Sequence, residues 1–161
     1  MRVEKKEILE KISLILKDKK LTVASAESCS GGLIANTLTN ISGSSEYFDR
    51  GVVTYTNNSK IELLNIPEEI LNKYGAVSEQ VAKAMAEAIR KKSNVDIGIS
   101  TTGIAGPTGG TKEKPVGLVY ITLSTKDETF IKKFQFSGTR LENKESTCNA
   151  ALQMLYDYLT G

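Results

Sequence analysis

The chain contains no histidine. That absence alone removes every mechanism built on Ser-His-Asp, on Cys-His or on a histidine-ligated metal. Cysteine is almost as scarce. Cys29 and Cys148 stand far apart, form no convincing metal-ligand set, and without a secretory segment read as reduced thiols of a cytoplasmic protein. The amino terminus, Met1-Arg2-Val3-Glu4-Lys5-Lys6, has no apolar run behind it, so no signal peptide is expected. No stretch approaches the roughly 20 apolar residues that span a bilayer. Charge of one sign is lacking too: the formal net charge is +2. With no interleaving of basic and aromatic residues, that balance argues against a nucleic-acid or membrane partner. Lys17-Asp18-Lys19-Lys20 reads as a solvated helix end rather than a phosphate-binding stripe. Internal repeats, low-complexity tracts and interdomain linkers are absent as well.

What remains is the composition of an ordinary globular protein, 161 residues with 40% hydrophobic and 25% charged side chains. That is enough for one domain over residues 1–161 with its own core. Ile8, Ile12, Ile15 and Leu16 give a helical stripe in residues 4–18, and residues 21–26 read as a short buried strand. Helical spacing follows in 33–38, a second strand in 51–56, and a helix capped by Asn57 or Asn58 that carries Ile61, Leu63, Leu64 and Ile66. Pro67 can open a further short helix ending at Gly75. Ser78 is a plausible N-cap for a helix with Val81, Met85, Ala88 and Ile89 on one face. Residues 95–101 form a third strand, and 116–124 with 129–136 an antiparallel hairpin turning at Lys126-Asp127. Cys148, Ala151, Leu152, Leu155 and Leu159 mark a final helix. Strands separated by helices imply an α/β fold, a three-layer α/β/α sandwich on a mixed, mostly parallel sheet of about five strands.

Such sheets carry their sites beyond the carboxyl ends of the strands. Three loops leave strands there, over 27–32, 55–60 and 101–110, and the unusual residues collect in them. The first, Glu27-Ser28-Cys29-Ser30-Gly31-Gly32, offers two nucleophile candidates, Ser28 and Cys29. It also offers unobstructed backbone N–H groups at a helix start, suited to a phosphate or a developing oxyanion. Ser28 or Ser30 can equally cap that helix, and Glu27 can bind a substrate hydroxyl or tie down the loop. A serine nucleophile needs a base, and with histidine gone lysine is the candidate, provided it is neutral. Lys60 sits just inside a helix amino terminus, where the dipole lowers its pKa, and burial must supply most of the shift. Tyr55 beside it can relay or orient the proton. The third loop is too long and glycine-rich for an economical connector. Gly103, Gly106, Gly109 and Gly110 let backbone approach a ligand, and Thr101 and Thr102 offer hydroxyls. Arg140, after Gly138-Thr139, can clamp a phosphate or pair with Glu142 or Glu145.

The segments AESCSGG, YFDRGVVTYTNNSK, GAVSE, TGIAGPTGG and KPVGLVY, in that order from about Thr22 to Arg140, resemble the CinA carboxy-terminal domain family, the nicotinamide-nucleotide amidases. The resemblance implies an α/β/α mixed-sheet domain that hydrolyses nicotinamide mononucleotide to nicotinate mononucleotide and ammonia, in pyridine nucleotide recycling. It implies a serine–lysine pair at Ser28 and Lys60, with Tyr55 and Thr102 close by and Arg140 near the phosphate. Cys29, Ser30, Gly31, Gly32, Gly103 and Gly106 complete the expected substrate-binding set with Glu27. No cofactor and no metal are expected. The only partners expected are the nucleotide and further copies of the chain, a closed homodimer or higher homo-oligomer. The chain departs from the family pattern at Thr139, where aspartate is usual, and at Lys144, where an arginine is expected. A second reading is therefore a nucleotide-binding or regulatory domain of weak catalysis, linked to competence or the DNA damage response.

Overall fold

Val23-Ala-Ser-Ala-Glu27 is buried along its whole length, the pattern of a strand with helices on both faces of its sheet. It is the second of the elements in the computed structural model, which describes residues 3–161. In chain order these are α1 (Val3–Asp18), β1 (Val23–Glu27), α2 (Leu33–Leu38), a 3₁₀ turn (Ser44–Glu46), β2 (Phe48–Val53), α3 (Asn57–Leu64), α4 (Glu68–Tyr74), α5 (Glu79–Ser93), β3 (Ile97–Gly103), β4 (Leu118–Ser124), β5 (Thr129–Gln135) and α6 (Arg140–Thr160). The five strands lie in the order β2-β1-β3-β4-β5. β1 is parallel to β2 and β3, while β4 is antiparallel to β3 and β5. So β1, β2, β3 and β5 run one way and β4 runs against them, the mixed, mostly parallel sheet expected.

Alternation along the strands divides the core in two. One face of the sheet, with Val23, Ile97, Ile99, Val119 and Ile121, packs on Leu9, Ile12 and Leu16 of α1, Ile34 and Leu38 of α2, and Leu152 and Leu155 of α6. The other face, with Ala24 and Ala26, packs on Leu64, Leu71, Val81, Met85 and Ile89 of α3, α4 and α5. That second face is built of small residues, and α5 sits almost on the backbone of β3. A Cβ added at Gly98 would lie 2.2 Å from the Ala86 carbonyl oxygen, so any side chain there would lever the helix off the sheet. The sandwich is thus three layers, with α1, α2 and α6 on one side and α3, α4 and α5 on the other. Among the described residues no helix is long and apolar enough to cross a membrane.

Several boundaries differ from expectation, and three of the differences have a visible cause. β2 runs from Phe48 to Val53 rather than over 51–56, because Thr54 already leaves the edge, holding on only through its N–H to Glu27 O (2.8 Å). Thr56, not Asn57 or Asn58, caps α3: its hydroxyl accepts from Ser59 N (3.1 Å), and the Ser59 hydroxyl accepts from Thr56 N (3.1 Å). This reciprocal box satisfies two otherwise orphaned donors, which neither asparagine does. β3 starts at Ile97 because Asp96 is used as a clasp, its carboxylate accepting from the N–H and hydroxyl of Thr22 at 2.8 and 2.9 Å.

Candidate active site

The carboxyl ends of β1, β2 and β3 open on one side of the sheet, and there the three loops meet. Ser28 extends β1 by one ladder bond, donating its N–H to Thr101 O (3.0 Å). The chain then reverses through Gly31 (φ 61°) and Gly32 (φ 97°), left-handed conformations that glycine adopts without steric cost. The expectation that Ser28 or Ser30 caps α2 is not met. The cap residue is Gly32, which has no side chain to offer, and the carboxylate of Glu27 does the work from the strand. One of its oxygens accepts from Ile34 N (2.9 Å) and from the Ser30 hydroxyl (2.7 Å), the other from Ala35 N (3.1 Å). Ser30 spends its single proton on Glu27, so the Thr101 hydroxyl, 2.6 Å away, donates to Ser30.

Of the two roles open to Glu27, the structure therefore has it tying down the loop. Glu27 and Ser30 are each 1% exposed, so neither offers a group to a substrate. Gly31 and Gly32 line a different groove, beside Leu141 and Lys144 on the far side of the turn. These four residues, expected as substrate contacts, instead build and back the turn that presents Ser28.

Lys60 is the fourth residue of α3, set by the Thr56 cap so that its side chain runs inward under the loop. It is 1% exposed. Its Nζ lies 3.1 Å from Ser28 Oγ and 2.8 Å from the Thr54 carbonyl oxygen, to which it donates. Among the described residues no carboxylate pairs with it. Burial pushes its pKa below that of an ordinary lysine, the Cys29 thiol opposing in smaller measure. A buried amine that gives up its proton easily and touches an alcohol is the pairing that a serine nucleophile requires when histidine is missing. Cys29, the alternative nucleophile, is also on the wall of the cleft, but burial pushes its pKa up to about 12, with the Glu27 charge adding to the rise. It stays a thiol at neutral pH, and the thiolate is the reactive form.

The cleft is open to solvent and holds about 250 Å³, near the lower end of small-molecule sites. Ser28, Cys29, Tyr55 and Lys60 line it together with Ile104, Thr108, Gly109 and Arg140. Gly103 and Gly106 line it as well. Thr102 lines it too; its hydroxyl donates to the Ala76 carbonyl (2.7 Å), which holds the 75–78 loop against the site and leaves the oxygen only as an acceptor. Tyr55 is half exposed at the mouth. Its hydroxyl meets Arg140 Nη2, not Ser28 or Lys60, so the expected proton-relay contact is not formed. Arg140 Nη1 donates to Gly106 O (2.8 Å). Glu142 is spent on the α6 cap, accepting from Thr139 N (2.7 Å), and Glu145 pairs with Lys5 (2.7 Å). Neither pairs with Arg140, whose guanidinium faces the cleft without a carboxylate among the described residues.

Two contributors escaped the sequence reading. The Thr54 carbonyl, which steadies Lys60, is a backbone group that any residue would supply, so no sequence signal marks it. Ala76 and Val77, in the GAVSE segment that carried the resemblance without any role assigned to them, also line the cleft. Together these place a serine hydroxyl against a buried lysine amine of lowered pKa in a small cleft, with an arginine that has no carboxylate partner among the described residues at its mouth.

The family model described as the CinA C-terminal domain matches residues 5–159. A CinA-like protein of Syntrophus aciditrophicus is 52% identical over 151 residues, 93% of this chain and 36% of that protein. The chain spans a little over a third of the length of the curated relatives it matches, from 36% to 38% of the first four. Among solved structures, the competence/damage inducible protein CihA of Agrobacterium tumefaciens superposes with a TM-score of 0.95 at 39% identity, covering 100% of this chain and 98% of its own. A CinA superfamily protein of Klebsiella pneumoniae gives a TM-score of 0.93 at 27% identity, covering 97% and 98%. The chain belongs to the CinA C-terminal domain family.

Proposed function

We propose that this domain is an amidase of the serine–lysine type that hydrolyses the carboxamide of nicotinamide mononucleotide, giving nicotinate mononucleotide and ammonia. The observation that carries the reading is the 3.1 Å approach of Lys60 Nζ to Ser28 Oγ, with the lysine 1% exposed. Neutral Lys60 directs one N–H at the Thr54 carbonyl and its lone pair at the Ser28 hydroxyl. It takes that proton as Oγ attacks the carboxamide carbon. The tetrahedral oxyanion needs donors, and the sheet register favours one. Thr101 O faces β1, where it accepts from Ser28 N, while Ile104 N faces β4, donating to Leu118 O (2.9 Å). By strand alternation the N–H of Gly103 then points toward the Ser28 side of the cleft. Donors on α2 are less suitable, since Ile34 and Ala35 already donate to Glu27. One well-placed donor is worth roughly 3 kcal/mol to such a transition state. Lys60 passes the proton to the departing nitrogen, which leaves as ammonia. A water then gives its proton to Lys60 and attacks the acyl carbon, and Ser28 leaves with a proton restored by the lysine. Arg140 at the mouth is suited to the phosphate, offering a planar fork to an anion.

The test is ammonia release by the purified chain supplied with nicotinamide mononucleotide. Ser28→Ala should release none above background while keeping its melting temperature within a few degrees. No ammonia from the parent, or near-parental turnover in the variant, refutes the reading. A second reading is a nucleotide-binding domain of weak catalysis; several relatives are named competence-damage inducible proteins, which connects the family with competence or damage responses and names no activity. The signature of this second reading would be saturable nucleotide binding with no ammonia.

A further inference from the structure

Behind Ser28, on the side away from the cleft, lies a buried chain of polar groups that touches no substrate. Thr101 donates to Ser30 (2.6 Å), Ser30 donates to Glu27 (2.7 Å), and the Glu27 carboxylate also gathers the first free N–H groups of α2 at 2.9 and 3.1 Å. Thr101 is fully buried and Glu27 and Ser30 are each 1% exposed. The network joins the end of β1, the end of β3 and the start of α2, the three elements whose relative placement sets where Ser28 points. Its members are satisfied, so it is rigid: a buried carboxylate that accepts from two backbone amides and a hydroxyl has no competing arrangement of similar energy. The turn it backs has little stiffness of its own, since Gly31 and Gly32 carry no side chains and α2 is a six-residue helix with no side-chain cap.

We infer that Glu27 is a positioning residue for the nucleophile: its charge pins the Ser28–Gly32 turn from behind and fixes the Ser28 hydroxyl in line with Lys60. The inference rests on Ser28 being the nucleophile. Replacing the carboxylate by an amide puts an NH₂ group where two oxygens now receive three donors, and at least one backbone N–H loses its acceptor. The turn must then shift, and a misplacement of about 1 Å at a reacting atom is worth on the order of 100-fold in rate.

The experiment compares the parent with Glu27→Gln and Ser30→Ala on two readouts. The first is the rate and final stoichiometry of Ser28 labelling by a serine-directed fluorophosphonate; the second is kcat and KM for ammonia release from nicotinamide mononucleotide. Glu27→Gln should label to the parental stoichiometry about 100-fold more slowly, and its kcat per labelled site should fall by a similar factor with KM within twofold. Ser30→Ala, which keeps the charge and loses the links to Glu27 and Thr101, should fall by roughly 10-fold and guards against Glu27→Gln failing to fold. A merely structural role would lower the stoichiometry and leave the rate per site unchanged, which overturns the inference. So do equal labelling rates in parent and variants, zero included, and a KM that rises as kcat falls, which would place Glu27 on the substrate. Should the parent label at Ser28 yet release no ammonia, the proposed substrate is wrong while the labelling comparison still decides the role of Glu27.

Discussion

Replacing Lys60 with methionine separates the chemistry from the fold. Methionine follows the same unbranched path into the core but carries neither lone pair nor charge. Ammonia release should drop by at least about 10³-fold, the upper range for loss of a positioned general base. Stability should change in a way that depends on pH, and the sign follows from linkage. The unfolded chain holds the lysine proton up to about the ordinary value of 10.5, whereas burial lowers the folded value. Between the two, the unfolded state binds more protons, so the parent gains stability as pH rises, by up to about 1.4 kcal/mol per pH unit. Below the folded value both states are protonated and the difference is flat, with the parent carrying the full penalty of a buried ammonium. Against this the variant loses the bond to Thr54 O, leaving a carbonyl without its donor at a cost of about 1–3 kcal/mol. Urea unfolding of parent and variant at matched pH from 6 to 10 measures the difference directly. Cys29, which also titrates abnormally, is present in both proteins and largely cancels. A difference that stays level across that range would show that Lys60 keeps an ordinary pKa, and one that turns against the parent as pH rises would show a raised pKa; the proposed base would fail in either case.

Cys29→Ala should keep ammonia release within about threefold of the parent, because a thiol with a pKa of about 12 supplies almost no thiolate at neutral pH. The same variant should resist alkali better. Ordinary cysteine ionises near 9.0 and the folded thiol near 12, so the parent loses stability as pH rises from 9 toward 12 and the variant does not, which denaturant titration in that window would reveal. Arg140→Ala should raise KM for nicotinamide mononucleotide by about 10- to 100-fold, the worth of a charge-assisted hydrogen bond of about 1.5–3 kcal/mol. With the phosphate-free nucleoside, kcat/KM should stay within about twofold; equal losses on both substrates would remove Arg140 from the phosphate.

The layers of this fold were legible in the sequence because its helices carry apolar stripes and its central strands are continuous apolar or small-residue runs, patterns that burial imposes directly. The convergence of three loops was legible for the same reason, since the order of strands and helices puts their carboxyl ends together. Side-chain assignments within the loops were harder. Ser28, Ser30 and Glu27 all look alike to a spacing argument, and what separates them is the direction each side chain takes at a strand end. Two positive-φ glycines turn the chain so that α2 starts with no side-chain cap, and a carboxylate seven residues before Ile34 fills the place. Tyr55 is the same kind of case. Proximity in sequence suggested a partner for Lys60, but α3 runs inward from the Thr56 cap while Tyr55 stays at the mouth with Arg140. The pattern fixes which elements meet; hydrogen-bond satisfaction decides which atoms do.

The departures at Thr139 and Lys144 bear on whether the domain has kept its chemistry, and the structure separates them from it. Thr139 caps α6, accepting from Glu142 N (3.3 Å) while its own N–H is held by Glu142. Threonine serves there as aspartate does, because either side chain supplies the acceptor oxygen that the first turn lacks. Lys144 stands over Gly31 in the groove behind the turn, outside the cleft. Neither touches Ser28 or Lys60. The stronger consideration is the cost of Lys60 itself. A lysine buried without a carboxylate partner lowers stability at neutral pH, and apolar replacements at such positions are commonly neutral or stabilising. A module that only held a nucleotide would have no use for a buried amine against a serine hydroxyl, since on the proposed reading Arg140 at the mouth serves the phosphate. The arrangement makes physical sense as a base whose proton affinity has been reduced by burial until it can accept a proton from an alcohol and give it to a departing amine.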